Sequence, residues 1–569
     1  MTEARGLHPA DKVEAYVSKG WWSDRTIDRV FRDQVAAQGD RTAVVDPANL
    51  GDLVGAEPRR LTWSQLDSEV THLAAQLLEM GLSRGDVIGV QIPNSIELVK
   101  TYLAAWSIGV VMSPLPMPYR EREVVGAANQ AGFKAIVTVD RFGDRQPLAE
   151  VTAAREAMPT VSTVVVMWPD ASSASTSAVN VSAAEASDDD RSAVEARRTA
   201  DPADPNDCVT VCWTSGTESE PKGVPRCHYD WIAISQACLD APELTSADVV
   251  LNPFPMVNMA AIGGVLIPWL LSGSTLVQHQ PFDVPTFLGQ VARERVTYTL
   301  VPPALLTMLL HNDALMSQVD LSSITRIGSG SVPLQPAMVR GWQEKHGISI
   351  INFFGSNEGT ALLSSPQDFP DPEDRALYFP NYGAEGVTWS TRIADAVSVR
   401  LVDLVSGEDI TEQGRVGELR LNGPTVFAGY LNPENNAAAF DELGYLRTGD
   451  LFEIAGERGE FLRYVDRAKD VINRGGMKVS AAEMEALISA HPSVMEAAVI
   501  GDSDEVMGER VAAVVTLKPE STLTLEELVD FLRSKKIASY KLPERLDVRE
   551  ELPRNPVGKI LKRELRQGS

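Results

Sequence analysis

Thr62 precedes a run in which Leu66, Val70, Leu73 and Leu77 recur at three- and four-residue intervals, leaving one face apolar. That period predicts a helix capped by Thr62 and ended by Gly81. Val87 to Ile92 follows as a continuously apolar stretch, which predicts a buried strand. Helix and strand patterns alternate over the next few hundred residues, pointing to an α/β architecture. Cys208-Val-Thr-Val-Cys-Trp213 alternates and is β-branched, so it reads as a further buried strand. Ahead of it, Asp170 to Asp207 is rich in Ser, Ala and Asp, including Asp188-Asp-Asp190, and is expected to be a surface loop or flexible connection.

Beyond Asp466 the rhythm changes. A helix over 481–490, strands over 497–500 and 511–517 and a helix over 525–536 follow in quick succession, enough for a small α+β domain. The charged run Asp466-Arg-Ala-Lys-Asp470 is expected to be a hinge. The expected layout is a large N-terminal domain of layered sheets and helices (1–465), the hinge (466–470) and a small mobile C-terminal domain (471–569).

Composition narrows the picture. A chain of 569 residues exceeds a single core, and 44% hydrophobic with 23% charged residues describes a soluble globular protein. The formal charge of −26 argues against a nucleic-acid binder or a partner of anionic membranes. Any polyphosphate site must then be a local positive pocket in a repulsive field. Met1 to Glu14 is polar and reads as no secretory leader. Ala260 to Leu271 is apolar but short and interrupted by Gly263, Gly264 and Pro268, so a buried core segment is expected rather than a membrane span. Cys208, Cys212, Cys227 and Cys238 lack metal-site spacing and are expected to be reduced, mostly buried thiols of a cytoplasmic protein.

Candidate chemistry begins after the strand ending at Trp213. Thr214, Ser215, Gly216, Thr217 and Lys222 offer backbone N–H groups, hydroxyls and one cation, a combination suited to gripping polyphosphate. The order of a Walker A loop is absent. Phe353-Phe-Gly-Ser-Asn-Glu358 places a carboxylate after an aromatic–glycine turn, where a hard cation shared with phosphate would find an oxygen ligand. Tyr445-Leu-Arg-Thr-Gly-Asp-Leu451 holds an acid in a turn, as ribose-binding carboxylates often are. Pro553-Arg-Asn-Pro-Val-Gly-Lys-Ile560 presents Lys559 as a point charge able to reach across a cleft. Taken alone, each of these is a solvated turn or a surface charge.

Their order along the chain changes that reading. Trp213 to Gly223 resembles the Y-T-S-G-T-T-G-x-P-K-G loop of the adenylate-forming superfamily: acyl- and aryl-CoA synthetases, carrier-protein adenylation domains and beetle luciferases. Gly328-Ser-Gly-Ser-Val-Pro-Leu334 is similar to its G-G-A-P-L segment, and Phe354-Gly-Ser-Asn-Glu358 to its Y-G-x-T-E. Gly417-Glu-Leu419, Gly429-Tyr430, Thr448-Gly-Asp450, Asp466 to Asp470, Gly475-Gly476 and Gly558-Lys559 match further blocks, so the resemblance spans nearly the whole chain.

The resemblance implies an acid–thiol ligase that makes an acyl-adenylate from ATP and passes the acyl group to CoA. Thr214, Ser215, Gly216, Thr217 and Lys222 would hold the β- and γ-phosphates, with Thr214 also assisting the reaction. Glu358 would ligate Mg²⁺. Phe354 would stack near the adenine beside Gly330 and Ser331, and Phe353, Gly355, Ser356 and Asn357 would complete that nucleotide wall. Asp450 would bind the ribose hydroxyls with Arg467, and Lys559 would bridge the acid and the α-phosphate. Lys469 matches the pivot of a domain rotation that brings the Gly475-Gly476 loop to the site for the CoA step.

Four departures stand out. Glu218 and Ser219 replace the Thr-Gly of the loop, Glu220 adds another acid, Asn357 stands for a threonine, Asn258 for a frequent histidine and Asn473 for a lysine of some relatives. On the acid side, Phe254, Met256, Val257, Met259, Ile262 and Gly263 are mostly apolar around Asn258, with Gly328, Ser329 and Phe353 as the facing wall. A bulky apolar acid is therefore expected: alicyclic, aryl, terpenoid or medium-chain fatty. Tyr16-Val-Ser-Lys-Gly-Trp-Trp22 resembles the start of relatives that activate cyclohexanecarboxylate and dihydroxybenzoate. Transfer to a carrier-protein pantetheine, and a nucleotide-binding regulator weakened in catalysis, stay open as alternatives, as does a homodimer.

Overall fold

The computed structural model describes residues 6–169, 178–181, 183–214, 221–504, 506–555 and 559–567. The apolar stripe after Thr62 forms the helix Trp63–Glu79, where Thr62 and Gln65 exchange reciprocal side-chain caps. It buries that stripe against the helix Ile96–Ser107. On its other side it meets the helix Asp188–Ala200, which corrects the expected loop over these residues. Ser187 caps this helix, Asp188, Asp189 and Asp190 fill its first turn, and Arg197 and Arg198 its last. Acids at the start and bases at the end oppose the helix dipole, so the aspartate run is a helix start and not a linker. Residues 170–177 of the same stretch lie outside the described residues.

Two large sheets carry the bulk of the chain. One has seven strands in the order Val179–Val181, Thr163–Met167, Ala135–Val139, Val87–Val90, Val111–Pro114, Cys208–Trp213 and Gly223–Cys227, parallel except for the last pair. The other has eight, antiparallel only at its two edges. Strands covered on both faces need apolar residues on both, which is why Cys208–Trp213 is buried at every position. A continuous core joins the sheets and their helices, with Trp63 stacked on Trp269 at 4.9 Å and the Trp106 indole donating to the Val209 carbonyl at 3.0 Å. Residues 259–272 form a broken helix inside this core, and among the described residues no helix is long and apolar enough to cross a membrane. All four cysteines are buried and free.

An antiparallel five-stranded sheet follows, in the order Tyr378–Pro380, Phe461–Arg467, Leu446–Ala455, Val416–Asn422, Ser398–Val402. Residues 472–548 build a last sheet around the long pair Val494–Asp504 and Gly508–Leu517, covered by the helices Ala481–Ser489 and Leu525–Ser534. The site forms where the carboxyl ends of the parallel strands meet the antiparallel sheet, the usual crevice of open α/β sheets.

Candidate active site

The strands Cys208–Trp213 and Gly223–Cys227 bring the ends of the polyphosphate loop together. The Thr214 N–H donates to the Lys222 carbonyl at 3.0 Å, and the Lys222 N–H donates to the Thr214 hydroxyl at 3.1 Å. Ser215, Gly216, Thr217 and the acidic tip Glu218, Ser219 and Glu220 lie outside the described residues. The Lys222 ammonium stands 4.9 Å from the centre of the Tyr430 ring, within cation–π range. The Tyr430 hydroxyl donates to Glu358 Oε1 at 2.8 Å. Burial and the Glu358 carboxylate together push the Tyr430 phenol well above its ordinary range, so it stays a donor. One tyrosine thus touches both the loop cation and the candidate metal ligand. The sequence marks Tyr430 only as part of a matching block and gives it no role.

Glu358 sits on a turn braced from behind. The strand Ser349–Ser356 ends there, and the Phe427 N–H donates to the Glu358 carbonyl at 3.0 Å. Arg226 is fully buried, donating from Nε to the Asn357 carbonyl at 2.8 Å and from a terminal nitrogen to the Thr425 carbonyl at 3.1 Å. Gly359 follows with φ 119°, and a Cβ there would run into Arg226 and the Thr425 carbonyl, so glycine alone fits. Asn357 is engaged at both ends of its amide: Oδ1 accepts the Met259 N–H at 2.8 Å and Nδ2 donates to the Trp213 carbonyl at 3.3 Å.

Asp450 and Arg467 are direct register partners on neighbouring strands and pair at 3.0 Å. Only 5% of Asp450 is exposed; burial raises its carboxyl, while Arg467 and Lys559 oppose that rise. The Lys559 N–H donates to Asn555 Oδ1 and its carbonyl accepts the Asn555 N–H, both at 2.8 Å. Burial, then the neighbouring Arg467 charge, lower its ammonium to about 8, against the pull of Asp450 and Asp470. Asp450 also feels Glu358, which ties the two carboxylates to one electrostatic site. Phe354 packs against Phe452 at 5.0 Å and near Tyr464 at 6.2 Å, beside the adjacent strand end Gly330, which is in register with Phe353. Gly355 is exposed and Ser356 half-buried at the same strand end, and Ser331 is exposed with φ 73°.

On the acid side, Asn258 caps the short helix that starts at Met259, its Oδ1 accepting the Ala260 N–H at 3.1 Å. A Cβ on Gly263 would meet the Met259 sulfur and Trp231, and one on Gly328 would meet Leu300, Phe353 and Tyr298. These side chains pack over the two glycines, and sequence spacing did not single out Trp231 and Leu300. Met256 and Ile262 are fully buried, the Met256 sulfur accepting from Gln278 at 3.5 Å, and Val257 is 8% exposed.

Elsewhere, Lys469 is exposed, and the neighbouring Asp466 carboxylate accepts the Ala482 N–H of the helix Ala481–Ser489 at 3.2 Å. Gly475 and Gly476, with φ of 56° and 81°, make the two-residue turn between Ile472–Arg474 and Met477–Val479, a geometry with positive φ at both positions. Gly475 donates its N–H to the Met507 carbonyl at 2.7 Å. Among the described residues, His8, Cys227 and Asp230 bring ligand atoms within 4.8 Å of one another. There the Asp230 carboxylate is already held by His8 Nε2 at 2.8 Å and by the Cys227 N–H at 3.2 Å, a tie between the N-terminal segment and the helix His228–Asp240.

Comparison with known proteins bears on what this cluster does. The AMP-binding enzyme family model matches residues 31–431, and the model of the AMP-binding enzyme C-terminal domain matches residues 483–559. A medium-chain fatty-acid–CoA ligase of Escherichia coli is 32% identical over 97% of this chain and 92% of its own length. A salicylyl-CoA synthase / salicylate adenylyltransferase of a Streptomyces species is 30% identical over 98% and 96%. ATP-bound MatB from Rhodopseudomonas palustris superposes with a TM-score of 0.77 at 25% identity, covering 96% of this chain and 99% of that one. The chain therefore belongs to the AMP-binding, adenylate-forming enzymes, as an AMP-forming acid–thiol ligase.

Proposed function

We propose that the protein activates a bulky apolar carboxylic acid with ATP, releasing pyrophosphate, and transfers the acyl group from the acyl-adenylate to the thiol of CoA. The observation that carries this reading is the convergence of Lys559, Arg467 and Asp450 on one side with Glu358 and the Tyr430–Lys222 contact on the other. In the first step a carboxylate oxygen attacks the α-phosphorus while the bond to the bridging oxygen of the β-phosphate breaks. Two anions must meet, and the Lys559 ammonium offsets their repulsion and stabilises charge on the pentavalent transition state. Thr214 and Lys222 hold the outer phosphates, and Asp450 with Arg467 holds the ribose. Phe354, Tyr464 and the Gly330–Ser331 turn flank the adenine.

Glu358, an oxygen donor held by the same Tyr430 that meets Lys222, fits Mg²⁺, a hard cation that is shared with substrate phosphate. When bound, that ion would supply charge neutralisation along the polyphosphate. The Tyr430 hydrogen bond fixes the carboxylate in advance.

In the second step the CoA sulfur attacks the acyl carbon, the carbon–oxygen bond to AMP breaks and the thiol proton leaves to solvent. Residues 466–470 act as the hinge between a large domain ending near 465 and a mobile one starting near 471, with Lys469 as pivot. The grouping of Lys559 with Asp450 fits the adenylate-forming state, with Gly475-Gly476 held at Met507 until the rotation. Apolar side chains meet over Gly263 and Gly328, which supports an apolar acid.

The test is to incubate the enzyme with ATP, Mg²⁺ and a panel of ring-bearing and medium-chain acids, adding CoA or a pantetheine-bearing carrier protein, and to identify products by mass. Acyl-CoA is the expected product. Transfer to the carrier alone would replace CoA as acceptor, and absence of pyrophosphate with every acid would overturn the reading.

A further inference from the structure

We propose that Asn357 is a positioning residue that sets the acid-side segment against the phosphate strand, so that the acid carboxylate and the α-phosphorus stand at attacking distance. The inference rests on the function proposed above. Asn357 connects three parts of the site that are far apart in sequence. Its Oδ1 accepts the N–H of Met259, the first residue of the short helix and the one whose side chain covers Gly263. Its Nδ2 donates to the carbonyl of Trp213, the last residue of the strand before Thr214. Its own carbonyl accepts from the buried Arg226 guanidinium, which holds the residue from behind.

The amide suits this better than the threonine of the resembling motif. An asparagine places its acceptor and its donor on two separate atoms, whereas a hydroxyl must serve both backbone groups from a single oxygen. With Asn357, the Met259 segment and the Trp213 carbonyl each have a dedicated partner. Glu358 follows immediately and is held separately by Tyr430, so loss of the Asn357 amide leaves the candidate metal ligand its own hydrogen bond. Attack on phosphorus requires reacting atoms roughly 3–3.5 Å apart, and a misplacement of about 1 Å costs on the order of a hundredfold in rate. Asn357 spans the two walls whose separation defines that distance.

The experiment compares wild type with Asn357→Ala and Asn357→Thr. Acid-dependent pyrophosphate release is measured over a range of acid and ATP concentrations, ATP binding is titrated directly, and thioester formation is measured from supplied acyl-adenylate. For Asn357→Ala we expect kcat of adenylation to fall by about ten- to a hundredfold. Its ATP Kd should change by less than about threefold, and thioester formation, which needs no alignment at phosphorus, should be kept. Asn357→Thr should recover part of kcat. A raised KM for acid or ATP with kcat unchanged would reduce Asn357 to a binding contact and overturn the proposal. Equal loss in both half-reactions would make it a structural residue and overturn it too. If wild type releases no pyrophosphate with any acid, the function itself fails; if wild type is active and Asn357→Ala keeps its kcat, only this inference fails.

Discussion

The proposed nucleotide side and the proposed acid side of the site are built in different ways. The nucleotide side is a set of polar pairs fixed by backbone register: Asp450 faces Arg467 across two strands, Thr214 faces Lys222 at the loop base, and Tyr430 locks Glu358. The acid side is made of apolar side chains folded over glycines, with the unbranched Met259 and the half-buried Phe353 as its most adaptable members. A charged ligand of constant shape can be met by fixed donors aimed in advance. An apolar ligand is met by shape, and shape changes when one side chain rotates. Perturbing the first side should therefore cost rate, and perturbing the second should change which acid is used.

The largest effect is expected at Lys559. Lys559→Ala should lower adenylation by about a hundred- to a thousandfold, the scale of removing a group aimed at developing charge. Thioester formation from supplied acyl-adenylate should survive, and equal loss of both steps would sink the assignment of Lys559 to the first. Next comes the pH dependence. Lys559 loses its charge as pH rises through about 8 in the substrate-free enzyme. The adenylation kcat/KM should then fall above that pH, about tenfold per unit once past it. Asp450 raises the Lys559 pKa, so Asp450→Asn should move this alkaline limb to lower pH. An unmoved limb would mean that another group titrates. At Tyr430, Tyr430→Phe removes one hydrogen bond to the Glu358 carboxylate. It should raise the Mg²⁺ concentration needed for half-maximal adenylation by about tenfold, as hydrogen bonds to charged groups are worth roughly 1.5–3 kcal/mol before solvent exposure reduces them. An unchanged Mg²⁺ dependence would leave Tyr430 with a packing role.

The same contrast governs how much of the fold and of the site is legible in the sequence. Lys222, Glu358, Asp450 and Lys559 are legible through their order along the chain: each alone reads as a solvated turn or a surface charge, and together they follow the motif order of a known family. The helix Trp63–Glu79 and the strand Cys208–Trp213 are legible because their period or continuous apolarity leaves little choice. Composition misleads at 188–200, where an aspartate run suggests a linker although Ser187 and the acids that follow it start a helix. What sequence does not supply is pairing across distance. Arg226 reaches Asn357 over 131 positions, Asn357 reaches Trp213 over 144, and Tyr430 reaches Glu358 over 72. Trp231 and Leu300 escape for a related reason: only the fold decides that they come to lie against Gly263 and Gly328.

The smallest effect is also the sharpest test of the acid side. A Cβ on Gly263 would lie 2.5 Å from the Met259 sulfur and 3.2 Å from the Trp231 ring. The sulfur is near the end of a flexible chain, so Gly263→Ala should displace the Met259 side chain rather than the backbone. That displaced side chain would occupy room a bulky acid needs. One methyl group in an apolar pocket is worth roughly 1–3 kcal/mol, and with Met259 able to yield, the lower end applies. We expect kcat/KM for the bulkiest acids to fall about fivefold, that for the smallest to stay or rise, and the ATP Kd to remain unchanged. Steady-state kinetics across a size-graded acid series would show this as a tilt in preference. A uniform drop for all acids, or a matching loss of ATP affinity, would mean that Gly263 acts on the site as a whole, and the division between a preset nucleotide side and an adaptable acid side would fail.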